Sequence, residues 1–212
     1  MKKILLLTFV VCIMNFTFVI NTFAATMYLD SMNDGTQETR FNTNELNQFI
    51  TGMEISVDES SKVSLEYQRL TVDNNPEAIT TSLWMKYGRA LVQNEIFQAY
   101  GNLSTLIMNG NSVTGDVKYS PIMLGIETNF NLSEKMSIKG ILDYAVTYKD
   151  YETNSSNKVD ADYWITKLKF DYMLTEKYGI ALGYMWSELK IDDNLSSKNT
   201  DKGYTLGLVF RY

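Results

Sequence analysis

Apolar and polar residues alternate with a period of two along most of this chain. Between residues 136 and 148 the odd positions are mostly polar or small, and the even positions are Met136, Ile138, Gly140, Leu142, Tyr144, Val146 and Tyr148. Side chains of a β-strand point to opposite faces in turn, so this run predicts a strand with one apolar and one polar face. Helical spacing does not fit the run.

The same alternation recurs and defines nine predicted strands. They cover residues 49–57, 63–72, 79–91, 96–108, 117–130, 136–148, 164–174, 178–186 and 204–212. Short connections alternate with longer ones that are rich in Asn, Ser and Asp. The short set lies at 58–61, 92–94, 131–135 and 175–177, and the longer set lies at 73–77, 109–115, 151–158 and 192–202.

This arrangement predicts an all-β fold, an up-and-down antiparallel barrel made by a single domain over residues 25–212. Strands of about ten residues with aromatic residues near both ends are typical of a barrel that spans a bilayer. The alternative is a soluble, lipocalin-like barrel with its apolar side chains inside. Small and charged residues on the polar faces favour the membrane barrel, because they suit a narrow polar lumen. No run of 18 apolar residues follows the leader, so no transmembrane helix is expected there.

The first 24 residues have the pattern of a cleaved signal peptide. Lys2 and Lys3 precede an apolar stretch, and cleavage after Ala24 would place small residues at positions −1 and −3. An uncleaved membrane anchor is the alternative. Cys12, the single cysteine, lies inside the leader, so the mature chain from Ala25 onward has no thiol.

Charge and composition exclude several functions. Without the two leader lysines the 19 basic side chains become 17, against 25 acidic ones, for a net charge of −8. A chain this acidic is not expected to bind nucleic acid, which needs a basic surface. The sequence has no histidine, which removes most general-base chemistry, most zinc sites and every nucleophile paired with histidine.

The C-terminal strand resembles the assembly signal of bacterial outer-membrane β-barrels. Its alternating residues are Tyr204, Leu206, Leu208, Phe210 and Tyr212. In that family the barrel-insertion machinery reads this signal, and the last residue is usually Phe, so the terminal tyrosine is a mild departure. The turns at 131–135 and 174–178 also resemble the periplasmic turns of small porin-like and OmpA-like barrels.

The resemblance implies a location and a topology. It implies the outer membrane of a diderm bacterium, with the C-terminus and short turns in the periplasm and the long loops at the cell surface. Such single-chain barrels have even strand numbers, so a tenth strand is expected within residues 26–32, followed by an outer loop at 33–46. The alternative is eight strands. Outer-membrane lipid and the insertion machinery are the implied partners.

Enzymatic activity is not expected. The known outer-membrane enzyme classes resemble one another in using a catalytic histidine, which this chain lacks. Glu54 and Glu66 are predicted to face the lumen from neighbouring strands and form an ion network with Lys86 or Arg211, which we favour strongly over a pair of catalytic carboxylates. Residues 30–35 resemble the start of a calcium loop but lack the later ligands, so we interpret them as a solvated loop. No metal or cofactor is expected.

Two further ion pairs follow from charge complementarity. If the strands on either side of loop 151–158 form a symmetric hairpin, opposed residue numbers sum to about 310. Asp143 then faces Lys167 and Lys139 faces Asp171. A lumen filled by such pairs predicts a non-enzymatic barrel with a structural or surface-contact role, and the alternative is a narrow porin-like channel for small solutes. The sequence names no external ligand.

Overall fold

The computed structural model describes residues 24–39, 43–73, 75–112, 115–147, 150–153, 158–192 and 197–212. The predicted leader, residues 1–24, lies almost entirely outside these ranges. The described residues form a single antiparallel sheet of twelve strands: β1 (Ala25–Glu38), β2 (Thr43–Ser56), β3 (Ser61–Val72), β4 (Asn75–Gln93), β5 (Phe97–Ser112), β6 (Gly115–Tyr119), β7 (Ile122–Asn131), β8 (Met136–Thr147), β9 (Asp150–Thr153), β10 (Lys158–Met173), β11 (Tyr178–Ile191) and β12 (Ser197–Arg211).

Most strands pair with their neighbours in the chain, except that β6 does not pair with β7 or β8 with β9, and the sheet closes on itself. β12 pairs with both β11 and β1, so the first and last strands join. The backbone N–H of Ala25 donates to the carbonyl of Tyr212 at 3.2 Å, and the reverse bond is 2.9 Å. The predicted all-β, up-and-down antiparallel fold is therefore confirmed. No helix within the described ranges is long and apolar enough to cross a membrane.

The strand count differs from the expected ten, and from the alternative of eight, because the predicted strand 117–130 is divided into β6 and β7 and because β9 forms largely within the predicted loop 151–158. β6 and β7 both pair with β5, at different heights, on either side of Ser120 and Pro121. Proline has no N–H for the ladder, which is a physical reason for the break. β9 and β8 pair in the same way with different parts of β10.

The two ends of the ring differ. One end, which we call the turn end, has the start of β1, the end of β12 and the connections 57–60, 94–96, 132–135 and 174–177. We call the opposite end the loop end. At the loop end the connections are 39–42, 73–74, 113–114, 154–157 and 192–196, much shorter than the loops expected there. The Asn- and Asp-rich segments are mostly strand, including residues 30–35 in β1, which were interpreted as a solvated loop.

The outward face changes chemistry along the strands. Near the turn end it is apolar, with Leu168 and Leu182 each 55% exposed. Near the loop end of the same strands Asp160 and Lys190 are exposed instead. Aromatic pairs mark the change, with ring centroids 5.1 Å apart in Trp164–Trp186 and in Tyr184–Tyr204. An apolar band bordered by aromatic residues is the surface that a bilayer requires of a barrel.

The inward face changes in the opposite sense to the outward face, from polar near the turn end to apolar near the loop end. Near the loop end it carries a buried apolar core that includes Leu70, Tyr119, Tyr163, Leu189 and Ile191. Inside the apolar band it carries charged and small residues. The loop-end section is thus packed like a water-soluble barrel, and this packing explains why segments with weak strand propensity extend the sheet there.

Candidate functional site

The half of the lumen next to the turn end is filled by charged side chains. Alternation places them on the inner face of seven strands, and the residues before and after each of them in the sequence face outward. The group, which we call the lumen network, consists of Asp30, Glu54, Lys62, Glu66, Lys86, Glu127, Lys139, Asp143, Lys167, Lys169 and Asp171.

Four members form a cluster nearest the turn end, and they come from opposite walls. Glu54 Oε2 lies 3.1 Å from Nζ of Lys62 and 3.1 Å from Nζ of Lys139. Glu127 Oε1 contacts Lys62 and lies 3.3 Å from Lys139 Nζ. The Lys62 ammonium also lies 4.1 Å from the centre of the Tyr100 ring. β2 and β3 thereby meet β7 and β8 across the lumen.

Glu66 is the centre of a second cluster. The Tyr28 hydroxyl donates to Oε2 at 2.7 Å, while Lys167 and Gln68 both donate to Oε1. Gln48 Nε2 in turn donates to Gln68 Oε1 at 2.8 Å. A buried carboxylate with several donors is compensated for the loss of water.

Two aspartates complete the network, each with one lysine. Asp143 Oδ2 lies 2.8 Å from Lys86 Nζ, and Asp30 Oδ2 lies 2.8 Å from Lys169 Nζ. Aromatic faces support the lysines, with Lys86 Nζ 4.2 Å from the Trp84 ring centre. These contacts add cation–π stabilisation in a site with little water.

Glycines opposite the network make room for it. Gly125 is paired directly with Asp143, and Gly207 with Asp30. A methyl group at Gly125 would lie 1.7 Å from Asp143 Oδ1, and one at Gly207 would lie 1.8 Å from Asp30 Oδ1. Each aspartate therefore lies across the neighbouring strand, in space that only glycine leaves open.

The predicted hairpin register is wrong by two residues. Asp143 is paired with Ile165, Lys167 with Ile141, Lys139 with Lys169, and Asp171 with Ser137. The physical reason is that Asp143, Lys167 and Lys139 find partners across the lumen. The register does not need complementary neighbours, because Asp143 pairs with Lys86 on β4 instead.

The partners proposed for Glu54 and Glu66 also differ. Both face the lumen as expected, but Glu54 contacts Lys62 and Lys139, and Glu66 contacts Lys167. Lys86 contacts Asp143. Arg211 lies at the turn end of β12, opposite Thr26, which is itself opposite Glu54.

Asp171 is buried beside a cavity of about 70 Å³ that Lys139 also lines, and its Oδ1 has no hydrogen-bond partner among the described residues. That volume has room for about two water molecules. No group of three or more acidic, histidine or cysteine side chains in the described ranges is arranged to hold a metal ion.

Four members were missed by the sequence reasoning. Glu127 and Lys169 occupy inward positions of predicted strands, so the alternation contained the signal for them. Lys62 lies just before a predicted strand, and Asp30 begins the segment that was interpreted as a solvated loop. The proposed assembly-signal residues Tyr204, Leu206, Leu208 and Tyr212 face outward and are 46–79% exposed, and Phe210 packs on Tyr178 with ring centroids 5.7 Å apart.

Comparisons with known proteins add evidence on the fold. No protein-family model matches the chain, and no curated protein sequence matches it. Among solved structures, the outer-membrane protease OmpT from Escherichia coli matches with a TM-score of 0.53 at 7% identity, covering 90% of this chain and 94% of that one. The translocator domain of autotransporter NalP from Neisseria meningitidis has a TM-score of 0.48 at 12% identity, covering 90% and 88%.

Neisserial surface protein A has a TM-score of 0.46 at 10% identity, covering 89% of this chain and 99% of that one. The match to OmpT, with the TM-score above 0.5, shows that the chain has the fold of outer-membrane β-barrel proteins, and the resemblance seen in the sequence is confirmed at that level. At such identities the comparison concerns the fold alone.

Proposed function

We propose that this protein is a non-enzymatic outer-membrane barrel with a closed lumen, whose loop end has a structural or surface-contact role. The observation that carries the proposal is the lumen network. Its lysines and carboxylates reach each other from opposite walls, and the apolar core at the loop end fills the lumen a second time. A barrel filled in this way presents a rigid platform and not a wide pore.

The proposed orientation places the turn end in the periplasm and the loop end outside the cell. Its support is the aromatic terminal strand and the polar outer surface of the loop-end section. In this proposal β6 continues into β7 and β8 into β9, so that the chain crosses the bilayer ten times. Residues 1–24 are the export leader that is removed on secretion.

The proposed partners follow from the surface. The exposed apolar band is in contact with outer-membrane lipid, and the barrel-insertion machinery recognises the strand that ends at Tyr212. Net negative charge argues against nucleic acid. The absence of histidine from the sequence supports a role without catalysis, and we propose no cofactor. One structural relative is a protease, but that activity is a property of the relative.

Planar-bilayer recording tests the closed lumen. We expect purified protein to give no stable single-channel steps. A variant with Glu66, Lys86, Asp143 and Lys167 all replaced by alanine should stay closed as well, because the apolar core at the loop end still fills the lumen. Steps from this variant alone would mean that the lumen network is the main barrier. Saturable steps from the native protein would overturn the proposal. Surface proteolysis of intact cells tests the orientation, with a protease site engineered into each loop-end connection in turn. Failure to cleave at any of these sites would overturn the proposed orientation.

A narrow channel is the second candidate, and three cavities favour it. Volumes of about 260, 70 and 90 Å³ lie at the turn end, within the lumen network and near the loop end. Glu54 and Lys139 separate the first two. A solute would have to part this ion pair to pass, which is why we prefer the closed barrel.

A further inference from the structure

The cavity near the loop end differs in chemistry from the rest of the lumen. Its volume is about 90 Å³. Most of its polar lining is neutral: the amides of Gln48 and Gln68, and the hydroxyls of Thr80, Ser82 and Tyr163. One carboxylate, Asp201, is present and accepts a hydrogen bond from Gln37 Nε2 at 3.0 Å.

The lumen network fixes which atom the glutamines present. Glu66 can only accept, so Gln68 must turn its amide nitrogen toward it. Gln68 Oε1 then accepts from Gln48 Nε2 at 2.8 Å. The remaining atom, Gln48 Oε1, is therefore a buried acceptor of fixed orientation on a residue that lines the cavity.

That acceptor has no partner. Gln48 is only 5% exposed, and its Oε1 has no hydrogen-bond partner among the described residues. A buried polar atom without a partner costs free energy, so a cavity beside it indicates a place for a donor. The hydroxyls of Ser82 and Thr80 on the same wall can both donate and accept.

The volume limits the size of the occupant. An apolar cavity of about 150 Å³ holds a benzene molecule. A cavity of about 90 Å³ therefore suits a molecule with three or four carbon atoms and their hydroxyl groups. Non-polar walls at Leu70, Met108 and Leu189 would contact the carbon chain. The polar side chains that line the cavity include both hydrogen-bond donors and acceptors and only one charged group. A ligand whose polar groups are hydroxyls, which can also donate and accept, matches this lining best.

We propose that this cavity is a binding site for a small neutral polyol, with Gln48 Oε1 accepting a hydrogen bond from one of its hydroxyls. The site is independent of whether the lumen conducts. Ser82 and Asp201 contribute further contacts from β4 and β12. A hydroxyl donating to a carboxylate makes a stronger, charge-assisted bond, so Asp201 orients the ligand without requiring it to carry charge.

Methionine methyl NMR provides a local test. The protein is folded in a detergent without a sugar or glycerol headgroup and titrated with glycerol and erythritol up to about 100 mM, a hundredfold above a millimolar dissociation constant. Met108 lines the cavity, whereas Met53 lies on the outward face of β2 near the turn end. We expect saturable shifts of the Met108 methyl group and none at Met53.

Variants separate recognition from general effects. Gln48→Leu should weaken binding at least about tenfold, the ratio that corresponds to loss of a hydrogen bond to a buried group. Ser82→Ala, a milder change, should weaken it several-fold. Gln98→Leu, at the turn-end cavity, is the matched control and should bind like the native protein.

Three results would overturn the proposal. The first is the absence of saturable Met108 shifts with either polyol, which would mean that water alone fills the cavity. The second is unchanged binding in both Gln48→Leu and Ser82→Ala. The third is tighter binding of ethanolamine than of glycerol, which would mean that Asp201 recognises positive charge. Bilayer conductance is measured separately, so a failed titration leaves the closed-barrel function intact.

Discussion

Replacing Gly125 by alanine tests whether the inner face depends on space left by glycine. A Cβ atom at this position would lie 1.7 Å from Asp143 Oδ1 and 2.4 Å from the carbonyl oxygen of Leu142. Both distances are far below van der Waals contact, so the carboxylate must move. Asp143 is fully buried and its Oδ2 lies 2.8 Å from Lys86 Nζ. Gly125→Ala should therefore separate a buried ion pair.

The expected loss of stability follows from two effects. Overfilling a packed site costs about 1–3 kcal/mol, and breaking a buried ion pair costs about 3–5 kcal/mol. Because a displaced carboxylate keeps some of its attraction to nearby lysines, we expect a loss of about 2–5 kcal/mol in the free energy of unfolding. Asp143→Ala in the Gly125→Ala background should add much less than it does alone, since the pair is already broken.

Gly101→Ala is the matched control. Gly101 lies on the neighbouring strand β5, and its nearest atom to a new Cβ would be a Leu91 methyl carbon at 3.6 Å, an ordinary contact. Replacing glycine here should be neutral or stabilise by about 0.4–1 kcal/mol, because the unfolded chain loses freedom. Urea unfolding in micelles, followed by tryptophan fluorescence and by the gel mobility of the folded barrel, measures both variants. Equal stability of the two would refute the reasoning.

Three other predictions concern the outer face, assembly and a turn. Leu182→Arg places a charge in the apolar band and should destabilise the barrel in vesicles by about 2–4 kcal/mol, whereas Ala181→Ser should be mild; equal tolerance would mean that the faces are reversed. Replacing Phe210 and Tyr212 by serine should leave exported, uninserted protein in the periplasm, and normal insertion on cell fractionation would contradict this. Hydrogen bonds from the Ser60 backbone and hydroxyl hold the pKa of Asp58 below its ordinary value. The ionised Asp58 side chain should therefore stabilise the turn at pH values above its pKa in the unfolded chain, and this stabilisation should disappear as the pH falls through its pKa in the folded protein. An NMR titration that gave Asp58 an ordinary pKa would contradict this prediction.

Strand identity and facing were predictable because they are local properties. Side-chain direction depends only on the parity of a residue within its strand. The run at 136–148 therefore gave the correct faces, with Leu142 52% exposed and Asp143 fully buried. The same argument placed Glu54, Glu66 and Lys86 on the inner face.

Strand ends and breaks were less predictable. Asn, Asp and Ser favour turns, so residues 109–112 and 197–202 were expected to be loops. In the structure they are strands. Residues 109–112 pair with β4 and β6, and residues 197–202 pair with β11, whose inward residue Leu189 packs in the core. Whether the sheet continues depends on the packing of the inward residues, and not on composition.

The hairpin register was wrong because complementarity was sought only between adjacent strands. A lysine side chain is long enough to pass over small residues and reach a strand further around the ring. Lys169 on β10 contacts Asp30 on β1, although β11 and β12 lie between them.

The residues on those two intervening strands are what permit this contact. Gly183 is directly opposite Lys169, and Gly207 is directly opposite Asp30. With no side chain at Gly207, the Asp30 carboxylate extends over β12 toward the lysine, and Thr205 occupies the space above Gly183. In a narrow barrel the small inward residues therefore carry the information about which charges meet. Lys169 and Asp30 are 139 residues apart, so their ion pair forms only when the ring closes, and it stabilises the closed barrel without helping to choose the register of any hairpin.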